Sequence, residues 1–209
     1  YTAPNHGFTL GSTNSGSSWF YEATLATTSS ILSLAIHPNG TKLFAGTNRG
    51  LYISTDSGST WTVVDGGTWR MSVNCVVFDP TDSQNVYAGT SYHNMSDLGR
   101  VYYSDDGGST WSYTEMPCPI DRIIIDPGDN SVIYALNSKI GTTAGDCPLI
   151  STDYGQNFDY FDPDITDRYV YDVAVTSSSV VYAATDQGIY RYNSQQGTWI
   201  YTEITAEEV

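Results

Sequence analysis

One short motif recurs along this chain with its neighbours in fixed order, and that repeat limits what the chain can fold into. Ser54-Thr-Asp-Ser-Gly-Ser-Thr-Trp61 is echoed by Ser104-Asp-Asp-Gly-Gly-Ser-Thr-Trp111 and by Ser151-Thr-Asp-Tyr-Gly-Gln-Asn-Phe158. A further copy, Ser12-Thr-Asn-Ser-Gly-Ser-Ser-Trp19, has Asn14 in place of the Asp, and the last keeps only Asn193 and the ending Gly197-Thr-Trp199. From Ser12 through Ser54 and Ser104 to Ser151 the steps are 42, 50 and 47 residues. One four-stranded propeller blade needs about 40–50 residues.

Three short β-branched and aromatic runs precede each motif, separated by Pro, Gly, Asp and Asn. In the first full repeat they are Ile31 to His37, Lys42 to Thr47 and Leu51 to Ser54, and the later repeats follow the same order. No segment carries a helical period. The class is all-β: a β-propeller of four-stranded antiparallel blades, four full blades plus a half blade. The expected boundaries are 1–24 for the half blade, then 25–66, 67–116, 117–163 and 164–209. The motif itself reads as the turn between the third and fourth strands. Ser54 and Asp56 bond the turn's own backbone, Gly58 takes positive φ, and Trp61 opens the outer strand with its ring in the core. Asp106, Gly108 and Trp111, then Asp153, Gly155 and Phe158, repeat those roles, as do Asn14, Gly16 and Trp19.

This pattern resembles the Asp-box, or BNR, repeat of sialidases, xyloglucanases, sortilin-type receptors and photosystem assembly-factor propellers. The resemblance covers nearly the whole chain and implies the fold. It also implies that the boxes lie on the face away from any active site, so their Asp residues stabilise turns rather than catalyse. Xyloglucanases of this repeat type place their cleft between two propellers. Sialidase chemistry asks for an arginine cluster around the substrate carboxylate, yet the chain has six arginines and no Arg-Ile-Pro-like motif before its first box.

Charge narrows the partners. Against 8 Lys and Arg stand 23 Asp and Glu, a net charge of -15, which repels nucleic acid and anionic membrane surfaces. The acidic, Lys-poor surface and the sequons at Asn39 and Asn94 suit a secreted or cell-surface protein. Of three cysteines, Cys118 and Cys147 are expected to form a disulfide within the third repeat, leaving Cys75 as a buried thiol. No metal or cofactor is expected. The acidic stretch 159–167 lacks the spacing of a known Ca²⁺ loop and reads as solvated.

The half blade supplies a strand near Phe8 to Leu10, a box and a strand from Trp19 to Leu25, but no first two strands. More protein, covalently attached or from a neighbouring copy, is therefore expected to complete it. Opposite the boxes lie the longest loops, which carry Trp69, Arg70, Tyr92, His93, Arg100, Asp167, Arg168 and Tyr169. Flat aromatics beside Arg and Asp grip sugar rings or extended polypeptide. A glycosidase would also need two carboxylates about 5–10 Å apart, and Asp65, Asp97, Asp146, Asp162, Asp164 and Asp167 lie on these loops, none in a catalytic motif. With no catalytic residue assigned, the sequence favours an extracellular non-catalytic scaffold or binding module for glycan or protein ligands. A fragment of a secreted glycan-processing hydrolase is the alternative.

Overall fold

In a computed structural model, the structure describes residues 8–12, 15, 17–18, 20–24, 30–64, 71–92, 98–137, 148–161 and 169–202. The strands fall into five antiparallel sheets, each in chain order. The first holds β1 (Phe8–Gly11) and β2 (Phe20–Thr24). The second holds β3 (Ile31–Ile36), β4 (Leu43–Thr47), β5 (Gly50–Ser54) and β6 (Thr62–Val63). The third holds β7 (Met71–Phe78), β8 (Val86–Tyr92), β9 (Gly99–Ser104) and β10 (Ser112–Met116). The fourth holds β11 (Arg122–Ile125), β12 (Ile133–Leu136), β13 (Leu149–Ser151) and β14 (Asp159–Tyr160). The fifth holds β15 (Val170–Val175), β16 (Val181–Thr185), β17 (Gly188–Asn193) and β18 (Thr198–Thr202). The four-stranded sheets are full blades of a β-propeller.

The core lies between blades rather than inside any one of them. One buried cluster joins Phe44 and Leu51 to Val73 and Val86, a second joins Tyr87 and Val101 to Ile123 and Ile133, and a third joins Tyr134 and Phe161 to Val173 and Val181. A sheet covered on both faces needs an apolar run rather than an alternating one, and the second strands show it. Every residue of Ile133–Leu136 is buried, as are the first five of Val86–Tyr92. These strands share a signature, Phe44-Ala-Gly-Thr47, Tyr87-Ala-Gly-Thr90, Tyr134-Ala-Leu-Asn137 and Tyr182-Ala-Ala-Thr185.

First strands lie side by side from blade to blade, β3 against β7, β7 against β11 and β11 against β15. Each of β3, β7 and β15 carries a register shift against its partner, between Ile31 and Ser33, Val73 and Cys75, and Val170 and Asp172. Bulges re-aim side chains, and those at the shifts reach a neighbouring blade. Val76 N–H donates to Ser33 Oγ at 3.0 Å, Asn74 Nδ2 donates to the Ile120 carbonyl at 3.0 Å, and Arg122 pairs with Asp172 at 3.0 Å.

Candidate functional site

The two ends of the blades differ in chemistry. At one end the third strand turns into the fourth through the recurrent motif. In each complete copy the Ser hydroxyl bonds the Asp carboxylate and accepts from the Gly N–H, at 2.8 and 2.8 Å for Ser54, 2.8 and 2.8 Å for Ser104, and 2.8 and 2.9 Å for Ser151. The carboxylate also takes a backbone N–H and a side-chain donor from the residue four further on, Thr60, Thr110 or Asn157. Those Thr110 hydrogen bonds hold the Asp106 carboxyl down at about 2, and Asp56 is lowered by the same bonds from Thr60. For Asp153, burial pushes upward but the Asn157 bonds prevail and the net shift is down. Each of these carboxylates thus has both oxygens committed to its own turn.

The turn glycine reaches across to the preceding blade. Gly108 has φ +86°, and a Cβ there would stand 2.2 Å from Phe44 Cζ; Gly155 has φ +80°, with Tyr87 Cε1 at 3.1 Å. Trp111 follows Gly108 onto Phe44, edge to face at 5.8 Å, and its indole N–H donates to the Gly108 carbonyl. Trp61 is half-buried ahead of β6, and its buried indole nitrogen has no partner among the described residues. Phe158 packs against the cluster containing Tyr87.

At the opposite end, Tyr92 and Arg100 sit on strands rather than in the expected loop. The β8–β9 hairpin continues past Thr90, pairing Ser91 with Gly99 and Tyr92 N–H with the Leu98 carbonyl, and the Thr90 hydroxyl bridges to Arg100 N–H and C=O at 3.1 and 3.2 Å. Arg100 lies over the Tyr113 ring at 4.1 Å and the Tyr92 ring at 5.3 Å. It donates to Glu115 Oε1 from Nε at 2.9 Å and from the terminal nitrogen at 2.7 Å, and to the Tyr102 hydroxyl at 3.1 Å. Tyr92 O–H donates to Glu115 Oε2 at 3.2 Å. The Glu115 bonds push the Arg100 pKa upward, so the guanidinium stays charged. For Tyr92 burial leads and Glu115 adds to it, and the phenol is raised. A cleft of 280 Å³ lined by Glu115, Leu149 and Tyr160 opens beside this cluster.

Tyr102, Tyr113 and Glu115 were not singled out by the sequence reading. Their signal is the alternation along β9 and β10, which places Tyr113 opposite Tyr102 and Glu115 opposite Arg100. Tyr169 is on another blade, tied by its N–H to Asp186 Oδ1 at 3.1 Å. Trp69, Arg70, His93, Asp167 and Arg168 lie outside the described residues, as do the turn residues Asn14, Gly16 and Trp19 and the candidate carboxylates Asp65, Asp97, Asp146, Asp162 and Asp164.

Cys118 is disulfide-bonded and Cys75 is free, while Cys147 lies outside the described residues. Cys75 is half-buried in β7, less enclosed than expected, yet burial of the thiol itself pushes its pKa up to about 12. Among the described residues no group of three His, Cys, Asp or Glu side chains could hold a metal ion, and no helix is long and apolar enough to cross a membrane.

Four-stranded meanders stacked through interblade cores define a β-propeller protein. The model of the Sortilin-Vps10 family, described as sortilin, neurotensin receptor 3, matches residues 49–208, and the chain belongs to that family. Among curated proteins it is 28% identical over 134 residues to a xyloglucanase of Hypocrea jecorina, covering 55% of this chain and 15% of the relative. It is 32% identical over 96 residues to a xyloglucanase of Acetivibrio thermocellus, covering 40% and 11%. The crystal structure of an ancestral GH74 enzyme superposes with a TM-score of 0.75 at 22% identity, over 96% of this chain and 30% of that one, a likeness of fold. The chain thus spans under a third of each of these proteins.

Proposed function

We propose that this chain is part of a secreted glycan-processing hydrolase of the xyloglucanase type, and that the blade end bearing Tyr92, Arg100 and Glu115, with the Tyr113 ring packed under Arg100, faces the polysaccharide. The observation that carries this is the sequence likeness to xyloglucanases over more than half of the chain. It favours the hydrolase fragment over the non-catalytic module that the sequence alone favoured. The turn motifs are Asp-boxes in this reading, and their committed carboxylates leave the opposite end for substrate.

The cluster is suited to holding a sugar. Tyr113 is 49% exposed and is backed by a guanidinium that fixes its plane, so a pyranose face can stack on it at little entropic cost. Glu115 is already an acceptor for Arg100 and Tyr92, which suits it to sugar hydroxyls and not to delivering a proton. The acid and base would come from the loop carboxylates of the same end. Family membership over residues 49–208 supports a second reading, a binding propeller that takes protein ligands. Affinity electrophoresis in gels containing xyloglucan tests the proposal. Retardation of the chain, reduced by Tyr113→Ala and by Arg100→Ala but not by Tyr201→Ala, is expected, whereas equal mobility with and without xyloglucan would refute it.

A further inference from the structure

The last blade departs from the others at one point. Its third and fourth strands are joined by Ser194-Gln-Gln-Gly197, and pairing resumes at once with Asn193 opposite Thr198. In the box blades seven residues separate the paired strands, Thr55 through Trp61 in the first of them. Asn193 caps the short hairpin itself, its Oδ1 accepting from Gln195 and Gln196. A hairpin that tight does not reach the preceding blade, and a Cβ on Gly197 would meet nothing within 4 Å.

Where Phe44 and Tyr87 receive a turn glycine, Tyr134 receives none. The two box-face clefts differ accordingly. Beside Tyr87 the cleft measures 350 Å³, and beside Tyr134 an open groove of 690 Å³ runs between the last two blades. Such a volume falls within the range of about 300–1,000 Å³ typical of small-molecule sites.

The lining specifies the ligand. Tyr160 stands 54% exposed at one side, and Tyr134, Phe161 and Tyr192 form a packed aromatic wall, with Phe161 5.1 Å from each tyrosine ring. Asp126, 2% exposed, lines the groove and is fixed by Gly128 N–H at 2.8 Å and by Ser179 Oγ at 2.9 Å, both on Oδ1. A buried carboxylate held rigid beside flat rings accepts hydroxyl protons while the rings take apolar sugar faces. Among the described residues no Lys or Arg lines the groove, which favours a neutral glycan over an acidic one.

We propose that this groove is a second carbohydrate site, on the box-turn face, which binds a neutral oligosaccharide with a pyranose face on Tyr160. It goes beyond the function proposed above, since it concerns the other end of the blades, and it stands or falls separately.

The test is calorimetric titration of the chain with cellotetraose. The informative variant replaces residues 193–199 by the eight-residue sequence of Ser104 to Trp111, restoring a glycine to fill the groove. Binding by the parent chain, weakened about tenfold or more, roughly 1.4 kcal/mol, by the replacement and by Tyr160→Ala but kept in Tyr113→Ala, is expected. Because Tyr160 also borders the small cleft beside Glu115, the deciding variant is Thr152→Trp, at an exposed residue of this groove and not of that cleft; it fills the groove and, by losing binding as well, decides the matter even if the replaced turn fails to fold. Unchanged affinity in Thr152→Trp or in Tyr160→Ala, or no heat from the parent chain at millimolar cellotetraose, overturns the proposal. Loss in Tyr113→Ala alone would place all binding at the opposite end.

Discussion

Replacing Gly108 by Ala tests whether the turn glycines lock one blade onto the next. Two costs add. A left-handed backbone costs an L-residue roughly 1–2 kcal/mol, and Gly108 sits at φ +86°. The new methyl would also stand 2.2 Å from Phe44 Cζ. Phe44 is fully buried, between Phe78 at 5.6 Å and Trp111 at 5.8 Å, and has nowhere to retreat. Overpacking of this kind costs about 1–3 kcal/mol, so the total is about 2–5 kcal/mol. Gly197→Ala is the control: φ is +65° with open space around it, which leaves only the backbone cost of about 1–2 kcal/mol. Urea unfolding followed by tryptophan fluorescence reads the difference. At a slope of about 3 kcal/mol per M the Gly108→Ala midpoint falls by roughly 0.7–1.7 M, and adding Phe44→Leu recovers part of that loss. Equal midpoints for the two glycine variants, or purely additive behaviour of Phe44→Leu, would refute the reasoning.

Other consequences follow from the same geometry. Asp106 is held at about 2 when folded, against about 3.9 in an unfolded chain. Its contribution is therefore complete above about pH 4 and lost as pH falls toward 2. Asp106→Asn should flatten the dependence of thermal midpoint on pH across that window, and an unaltered slope would show that the turn carboxylate is not responsible. We propose Cys147 as the disulfide partner of Cys118, which peptide mapping of the unreduced protein checks through a linked 118–147 pair; separate alkylated peptides would contradict it. Cys75, pushed up to about 12, should resist iodoacetamide at pH 8 until the chain is unfolded, and rapid native labelling would count against its burial. Completion of the β1–β2 sheet by further protein is likewise a proposal, tested by light scattering over a dilution series, with concentration-dependent association the expected result and a constant monomer mass opposing it.

The blade architecture is legible because its signals are local and repeated. Ser54, Asp56 and Gly58 announce a turn whose bonds all lie within itself, and three copies at blade spacing leave few folds open. Strand ends were harder to read: Tyr92 and Arg100 belong to a hairpin that continues past Thr90, whereas the equivalent Thr47 is the last residue of its strand. Glu115 and Tyr113 escaped notice because their meaning comes from cross-strand pairing, which a linear reading does not display. The groove beside Tyr134 was hidden for the opposite reason. The degenerate last motif was visible in Asn193 and Gly197, but what its shortening uncovers depends on an aromatic some sixty residues earlier, on another blade.

The most direct test of the central claim, that the blade end opposite the turn motifs meets a polysaccharide, is a calorimetric titration of the chain with xyloglucan oligosaccharides, repeated on Tyr113→Ala. Saturable binding that weakens about tenfold, roughly 1.4 kcal/mol, when the Tyr113 ring is removed is the predicted result. Absence of binding, or binding indifferent to Tyr113, would contradict it.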